Sequence, residues 1–279
     1  MQTLLKTFRT IFEKKIFVIH ISFFVLIVCL LDLMNPFYVL VKGLFTELSG
    51  NWIDNMIVLV NNIMNRNTIL FYMLITFAIA LGLGIVLSAF FSGILYLLSK
   101  TVDNSDYRIK SNEYVKGFLM YFVRLTVVLF VIIYLILLLF FSYLVMISPT
   151  LIIGKITESN PDGIITFKIF LIVSLVIMYL LFLIIRIYLI YMIPACFKTT
   201  GFLRISLKVA GSSFIHSLLA FLFMDLFYVG MISFLGIVRS GLLKFILAFL
   251  MNSCFWSTVI VWLFYHFNHT IIKKNIPID

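Results

Sequence analysis

The sequence predicts an all-α polytopic membrane protein. Of its 279 residues 63% are hydrophobic and only 11% are charged, and the mean hydropathy is +1.19. Soluble domains carry about 25% charged residues. Several apolar runs exceed the roughly 20 residues that a helix needs to cross a bilayer, whereas membrane β-strands are about ten residues of alternating polarity. We therefore expect one transmembrane domain, over residues 1–279, that consists of helices.

Six apolar segments predict six membrane-spanning helices. The predicted spans are residues 16–40, 69–98, 117–147, 166–193, 213–237 and 245–267. The first apolar run is followed by no small-x-small cleavage site, so we interpret it as a retained span. Pro194 is expected to end the fourth span. Segments 148–163 and 238–244 contain proline, glycine or both, and are expected to be loops or tight turns.

Two further segments predict amphipathic helices in the membrane interface. In residues 1–14 one face is charged and the other is formed by Leu4, Leu5, Phe8, Ile11 and Phe12. Residues 41–68 show the same helical spacing on the opposite side of the membrane. We expect both helices to cover the bilayer surface. The alternatives are an elbow that docks a cytoplasmic partner, for the first helix, and a lid over a pocket, for the second.

Span two also carries small residues at intervals of four, namely Ala80, Gly84, Ser88 and Ser92. Small side chains on one stripe let helix backbones approach closely in a bilayer, where the hydrophobic effect does not pull helices together. The stripe therefore predicts helix packing. A groove that lines a substrate is the alternative.

The basic residues predict the orientation in the membrane. Six spans place both termini on the same side, and most lysines and arginines fall in the terminal segments and the loops of that side. This bias predicts a multi-pass protein of the cell membrane with both termini in the cytoplasm. The net charge of +10 is spread over loops rather than gathered in a soluble module. We therefore expect anionic membrane lipids, and not nucleic acid, as the partner of these charges.

Two ionisable residues lie where hydrocarbon is expected. Arg186 is about 12 Å from the cytoplasmic end of span four, and Asp225 is about 18 Å into span five, at the helical rise. An arginine side chain covers that difference, so a pair between the two antiparallel helices is plausible and each charge would need the other. Arg124 in span three lies at a similar depth and competes for the same carboxylate.

Two arginines and one aspartate leave one positive charge uncompensated. That charge could receive an anion such as a lipid phosphate, which arginine binds with two hydrogen bonds. The candidate binding residues are these three and the tyrosines near them in sequence, namely Arg124, Arg186, Asp225, Tyr121, Tyr179 and Tyr228. In the alternative interpretation both arginines extend to the headgroups and Asp225 only joins helices.

Catalytic and metal-binding patterns are not found in the sequence. There is no HExxH, GxSxG or glycine-rich phosphate loop. His266 and His269 are potential metal ligands without an obvious third, and the three cysteines are isolated. We therefore expect a non-enzymatic protein with no metal and no cofactor.

Four sequence segments resemble a known type of membrane domain. They are GILYLLSK at the end of span two, YVKGF before span three, YLIYMIP at the end of span four, and the following GFLRISLKVAGSSF. In this order they are similar to the membrane domain of some bacterial glycerophosphodiester phosphodiesterases and of related six-helix proteins. The resemblance implies a bacterial membrane and a link to lipids or export. No segment is left for a soluble phosphodiesterase domain, so that activity is not implied.

Two functional hypotheses follow from these patterns. The first is a permease-like or lipid-interacting protein that handles an amphiphilic or anionic substrate. The alternative is a membrane scaffold or exporter subunit, with a separate cytoplasmic ATPase or other partner docked on residues 99–116 and 196–212.

Overall fold

The structure is a computed structural model that describes residues 2–34, 66–104, 107, 109, 111–156 and 161–277. These residues form α-helices and include no β-strand, as the sequence predicts. The helices are α1 (Gln2–Glu13), α2 (Lys15–Met34), α3 (Arg66–Asp103), α4 (Ser111–Ile156), α5 (Pro161–Ile190), α6 (Met192–Cys196), α7 (Phe202–Ser212), α8 (Phe214–Ile237) and α9 (Gly241–Lys274). The predicted interfacial helix over residues 41–68 lies outside the described residues.

The chain divides into two compact units. Unit 1 contains residues 1–35, 86–128 and 186–279, and unit 2 contains residues 36–85 and 129–185. In unit 1, α9 is the central helix, and α1, α2, α6, α7 and α8 pack against it. In unit 2, Ile147 and Leu151 of α4 form a buried cluster with Phe167 of α5.

Five helical segments among the described residues are long and apolar enough to cross a membrane. They are Ile69–Asp103, Asn112–Ile153, Ile165–Cys196, Phe214–Ile237 and Gly241–Lys274. Helix α2 gives a sixth span if it is counted together with α1, from which it bends by 84°. The predicted spans two to six therefore each correspond to one of these segments.

The expectation of a loop over 148–163 is wrong for residues 148–156, which continue α4, and for residues 161–163, which begin α5, whereas residues 157–160 lie outside the described part of the chain. Helix α4 continues through Pro149 to Ile156. Pro149 has no N–H to donate to the carbonyl oxygen of Val145, but the hydroxyl of Ser148 donates to that oxygen at 2.8 Å. Leu151, in the next turn, is buried in the unit 2 cluster. A side-chain hydrogen bond and apolar burial thus allow the helix to pass the proline.

The connection after span four is also more helical than expected. Helix α5 ends at Ile190, and Pro194 lies inside the short helix α6 rather than ending a span. Proline is tolerated in a first helical turn because the N–H groups there have no intrahelical acceptor. Helix α7 then occupies Phe202–Ser212. The turn expected over 238–244 is shorter, because Ser240 caps α9 by accepting a hydrogen bond from the Leu243 N–H at 3.5 Å.

Close helix packing is visible where α3 meets α4 in unit 1. A Cβ atom added to Gly117 would lie 2.7 Å from the Cβ atom of Tyr96, and one added to Gly93 would lie 2.8 Å from the ring of Tyr114. Both glycines are therefore needed for the approach of the two helices. In the small-residue stripe Ala80, Ser88 and Ser92 are fully buried, which agrees with a role in packing.

Candidate functional site

Helices α5 and α8 place Arg186 and Asp225 in direct contact. The guanidinium donates two parallel hydrogen bonds to the carboxylate, from Nη1 to Oδ1 at 3.0 Å and from Nη2 to Oδ2 at 2.9 Å. The two side chains are 20% and 25% exposed. Bidentate geometry between partly buried groups fixes both the distance and the rotation of the helices that carry them.

The guanidinium of this pair also contacts the ring of Phe221. The Cζ atom of Arg186 lies 4.5 Å from the ring centroid of Phe221, and Phe221 packs edge to face on Trp262 of α9 at 5.8 Å. A cation held by a carboxylate and an aromatic face is well stabilised in a low dielectric. The pair has no net charge. Together with Phe221 and Trp262 it links α5, α8 and α9, so it stabilises the packing of these helices in unit 1.

Arg124 takes a different partner. Its Nη1 atom donates to the carbonyl oxygen of Cys196 at 3.2 Å, at the end of α6, and its Cζ atom lies 5.5 Å from the ring centroid of Tyr121. Tyr121 in turn donates to the carbonyl oxygen of Phe197 at 3.3 Å. Among the described residues no carboxylate pairs with Arg124. The surplus positive charge predicted from the sequence therefore falls on Arg124, where helix carbonyls offset part of it.

The other two predicted tyrosines lie on α5 and α8. Tyr228 packs against Phe255 at 5.0 Å and Trp256 at 6.1 Å, on α9. Tyr179 belongs to unit 2 and is partly exposed. The structure thus joins Arg186 with Asp225, and Arg124 with Tyr121, and it places Tyr228 in an aromatic cluster.

A basic cleft of about 590 Å³ opens beside Tyr121. It lies where the end of α3, the start of α4 and the connection between α6 and α7 meet. It is lined by Tyr96, Ser99, Lys100, Asp103, Lys116, Met120, Tyr121, Phe197 and Lys198. The polar segments 99–116 and 196–212 were predicted only as partner surfaces. The cleft itself could not be predicted, because the sequence shows that both segments lie on one side of the membrane but contains no motif that joins them.

The three lysines of the basic cleft differ in their partners. The Lys198 ammonium binds the carboxylate of Asp103, and it also donates to Oδ1 of Asn268 at 2.8 Å. The Lys100 ammonium lies 5.7 Å from the ring centroid of Tyr96, and Lys116 is exposed. No described carboxylate pairs with Lys100 or Lys116. Within the described part of the cleft, two lysines thus lack a carboxylate partner and lie next to a third lysine that has one.

One wall of the basic cleft is aromatic and one edge is apolar. The rings of Tyr96 and Tyr121 are stacked at 5.4 Å, and Tyr121 packs on Phe197 at 4.9 Å. Met120 lines the cleft and is 56% exposed, and Leu119 and Val123 beside it on α4 are more exposed still. A cationic cleft that adjoins an exposed apolar helix face suits a molecule with an anionic head and a hydrocarbon chain.

The buried polar residues near α9 are engaged in packing. Tyr191 and Ser217 share a hydrogen bond of 2.6 Å, and Ser213 lies 3.3 Å from Ser217. His266 stacks on Trp262, with ring centroids 4.8 Å apart. Within the described ranges there is no group of three histidine, cysteine or acidic side chains that could hold a metal ion. Ser213 and Ser217 therefore serve the contact between the end of span four and α8.

No family model matches the chain, and no curated protein and no solved structure is similar to it. The fold and the contacts above are therefore the basis of a functional proposal.

Proposed function

We propose that the protein is a non-enzymatic, permease-like or lipid-interacting membrane protein that binds an anionic amphiphile in the basic cleft. The observation that carries the proposal is the position of Lys100 and Lys116, two cations that pair with none of the described carboxylates, beside the exposed apolar face of α4. The negative head of the amphiphile would lie between the ammonium groups, and its chain would follow Met120 and Val123 toward the bilayer.

The chemistry of the cleft favours a phosphate or similar oxyanion. Lysine is a common phosphate ligand and acts as a flexible point charge. The cleft volume of about 590 Å³ is within the range of about 300–1,000 Å³ that ligand sites occupy. The Cζ atom of Arg124 lies 5.5 Å from the ring centroid of Tyr121, which lines the cleft. Since no described carboxylate pairs with Arg124, its charge adds to the positive potential of this region.

The cellular setting belongs to the same proposal. The excess of basic residues on the side of the termini favours a cytoplasmic position for both ends and for the basic cleft. The resemblance of GILYLLSK, YVKGF and YLIYMIP to bacterial membrane domains favours a bacterial cell membrane. A cleft at the cytoplasmic leaflet would meet anionic lipid headgroups directly.

Lipid binding to purified protein in nanodiscs tests this function. A spin-labelled phosphatidylglycerol should bind the native chain, and Lys100→Gln with Lys116→Gln should weaken that binding. We expect about tenfold for each lysine, since a hydrogen bond to a charged group contributes about 1.5 kcal/mol or more. The matched control is Arg239→Gln with Lys244→Gln, two cations at the start of α9. Unchanged binding by the folded double variant of the cleft would contradict the proposal.

A membrane scaffold or exporter subunit is the second candidate function. The contact between Lys198 and Asp103 joins the segments 99–116 and 196–212, which were predicted to dock a separate ATPase, into one polar surface. Purification from native membranes discriminates between the two functions. A stoichiometric ATPase that is lost when Lys100 and Asp103 are replaced would favour the scaffold, and isolation of the chain with lipid alone would favour lipid binding.

A further inference from the structure

Helix α1 buries its threonines and exposes several of its large apolar side chains. Thr7 and Thr10 are buried, and the hydroxyl of Thr10 lies 2.7 Å from that of Tyr265 on α9. Leu5 and Phe12, in contrast, are 62% and 75% exposed. A helix whose outer face met water would bury its leucines and expose its threonines. The outer face of α1 is therefore built for an apolar surrounding.

Helix α7 shows a related pattern. Ile205 and Val209 are buried in unit 1, while Leu203 and Leu207 are about half exposed, one turn apart. Arg204 and Lys208, also one turn apart, lie exposed beside these leucines. Such a row of leucines next to a row of cations is typical of helices in the headgroup zone, where the leucines enter the acyl boundary and the cations stay with the phosphates.

The orientation of α1 agrees with a position in the plane of the membrane. It makes an angle of 84° with α2, whose exposed residues Ile16, Ile19 and Phe23 continue the apolar surface. If α2 crosses the bilayer, α1 runs along its surface. Both α1 and α7 pack against α9, so the two helices lie around one helix of unit 1.

We propose that α1 and α7 form a headgroup collar that binds the anionic phospholipid surface of one leaflet. The exposed leucines and phenylalanines supply the apolar contact, and Lys6, Arg204 and Lys208 supply the charge complementarity. This inference is independent of any ligand in the basic cleft. It assigns the exposed face of α7 to lipid, whereas the scaffold hypothesis assigns the segment 196–212 to a soluble partner.

Depth measurements on spin-labelled protein test the apolar contact. Single cysteines are introduced as Leu5→Cys, Leu207→Cys and Lys208→Cys after replacement of Cys29 and Cys254, in vesicles of phosphatidylcholine and phosphatidylglycerol. Labels at the two leucine positions should relax more with oxygen, which concentrates in the bilayer, than with a water-soluble nickel chelate. The label at Lys208 should show the opposite preference. If both leucine labels prefer the nickel chelate, the faces lie in water and the collar is excluded.

Lipid selectivity tests the charge. The native chain should enrich phosphatidylglycerol over phosphatidylcholine in its boundary lipid, and Arg204→Gln should reduce this enrichment by up to about fivefold, the equivalent of about 1 kcal/mol per cation near the surface. Arg239→Gln, at the turn before α9, is the matched control and should leave it unchanged. Equal enrichment in the native chain, Arg204→Gln and Lys208→Gln would overturn the anionic part of the proposal. The basic cleft is intact in all these variants, so failure of the collar is distinguishable from failure of the cleft.

Discussion

Asp225 is a carboxylate in the middle of an apolar helix, where an isolated charge would be costly. Its contact with Arg186 makes it a member of a neutral pair. Asp225→Asn should lower the free energy of unfolding by about 3 kcal/mol, because it leaves a guanidinium without its counter-charge in a low dielectric. Denaturation of the purified protein in detergent measures the change.

The double variant Arg186→Gln with Asp225→Asn provides the control for this pair. It should recover part of the lost stability, because no uncompensated charge remains. If the losses in free energy of unfolding caused by the two single substitutions simply added up in the double variant, the hydrogen bonds between the two side chains would contribute nothing to stability. Arg239→Gln, an exposed arginine in a turn, should have little effect.

The depth of Arg186 and Asp225 could be estimated from the sequence, but the choice between Arg186 and Arg124 could not. Both arginines lie at a similar depth, and helical rise fixes only the position along the axis. The choice depends on which face of each helix is turned inward. In the structure the Arg186 guanidinium contacts Phe221, whereas the Arg124 guanidinium donates to the carbonyl oxygen of Cys196, so the two groups are held in different places.

Gly117 marks the closest approach of α3 and α4. Gly117→Ala should destabilise the protein by about 1–3 kcal/mol, the usual cost of overpacking, because the added methyl group would meet the Cβ atom of Tyr96. Gly230→Ala is the matched control in α8, where nothing lies within 4 Å of the added atom. It should stabilise its helix by up to about 1 kcal/mol. Thermal unfolding in detergent compares the two, and equal effects would contradict the packing role.

At the scale of the element, α4 shows how a helix passes a proline. Ser148→Ala should cost about 1 kcal/mol, because the carbonyl oxygen of Val145 would lose the hydroxyl that now donates to it. In the background Pro149→Ala the same change should cost almost nothing, since the restored N–H at position 149 donates instead. Unfolding measurements on the four proteins of this cycle give the coupling. A cost of Ser148→Ala that is the same in both backgrounds would contradict the proposed compensation.

Hydropathy predicted the long helices well and the short ones poorly. The span over 213–237 agrees with α8 to one residue, because an uninterrupted apolar run begins and ends with the helix. Helices α6 and α7 were missed, since they lie in a segment that carries proline, glycine and three cations. Their stability comes from burial of Met192, Ile205 and Val209 in unit 1, and tertiary packing of that kind is not visible in local composition.

At the scale of the whole molecule, contacts between distant segments determine the basic cleft. Lys198 contacts Asp103 and Asn268, which lie on different helices and far from it in sequence. Asn268 also donates to the carbonyl oxygen of Val102 at 3.4 Å. Hydropathy and charge predict that these segments share a side of the membrane, but no local sequence pattern shows which of their side chains meet. The cleft is therefore a property of the folded unit and not of a motif.

The same contacts bear on the number of times the chain crosses the membrane. Lys14 donates to the carbonyl oxygen of Tyr107 at 3.2 Å, and Thr10 contacts Tyr265. The start of the chain, the connection between α3 and α4, and the last turns of α9 thus meet in unit 1. Five spans would put the start and the end of the chain on opposite sides of the bilayer, whereas six spans put them on the same side. The contacts between the two ends are compatible with six spans, the number that the sequence predicts.

Thiol labelling in sealed vesicles tests this topology. After Cys29 and Cys254 are replaced, single cysteines are introduced as Lys6→Cys, Lys274→Cys and Arg239→Cys, and each is exposed to a membrane-impermeant maleimide before and after lysis. We expect the first two to react from the same side and the third to react from the other, because only α9 separates Arg239 from Lys274. Buried Cys196 should stay unlabelled in every variant. If Lys6→Cys and Lys274→Cys react from opposite sides, α2 does not cross the bilayer, and the contacts of Lys14 and Thr10 cannot form in the membrane.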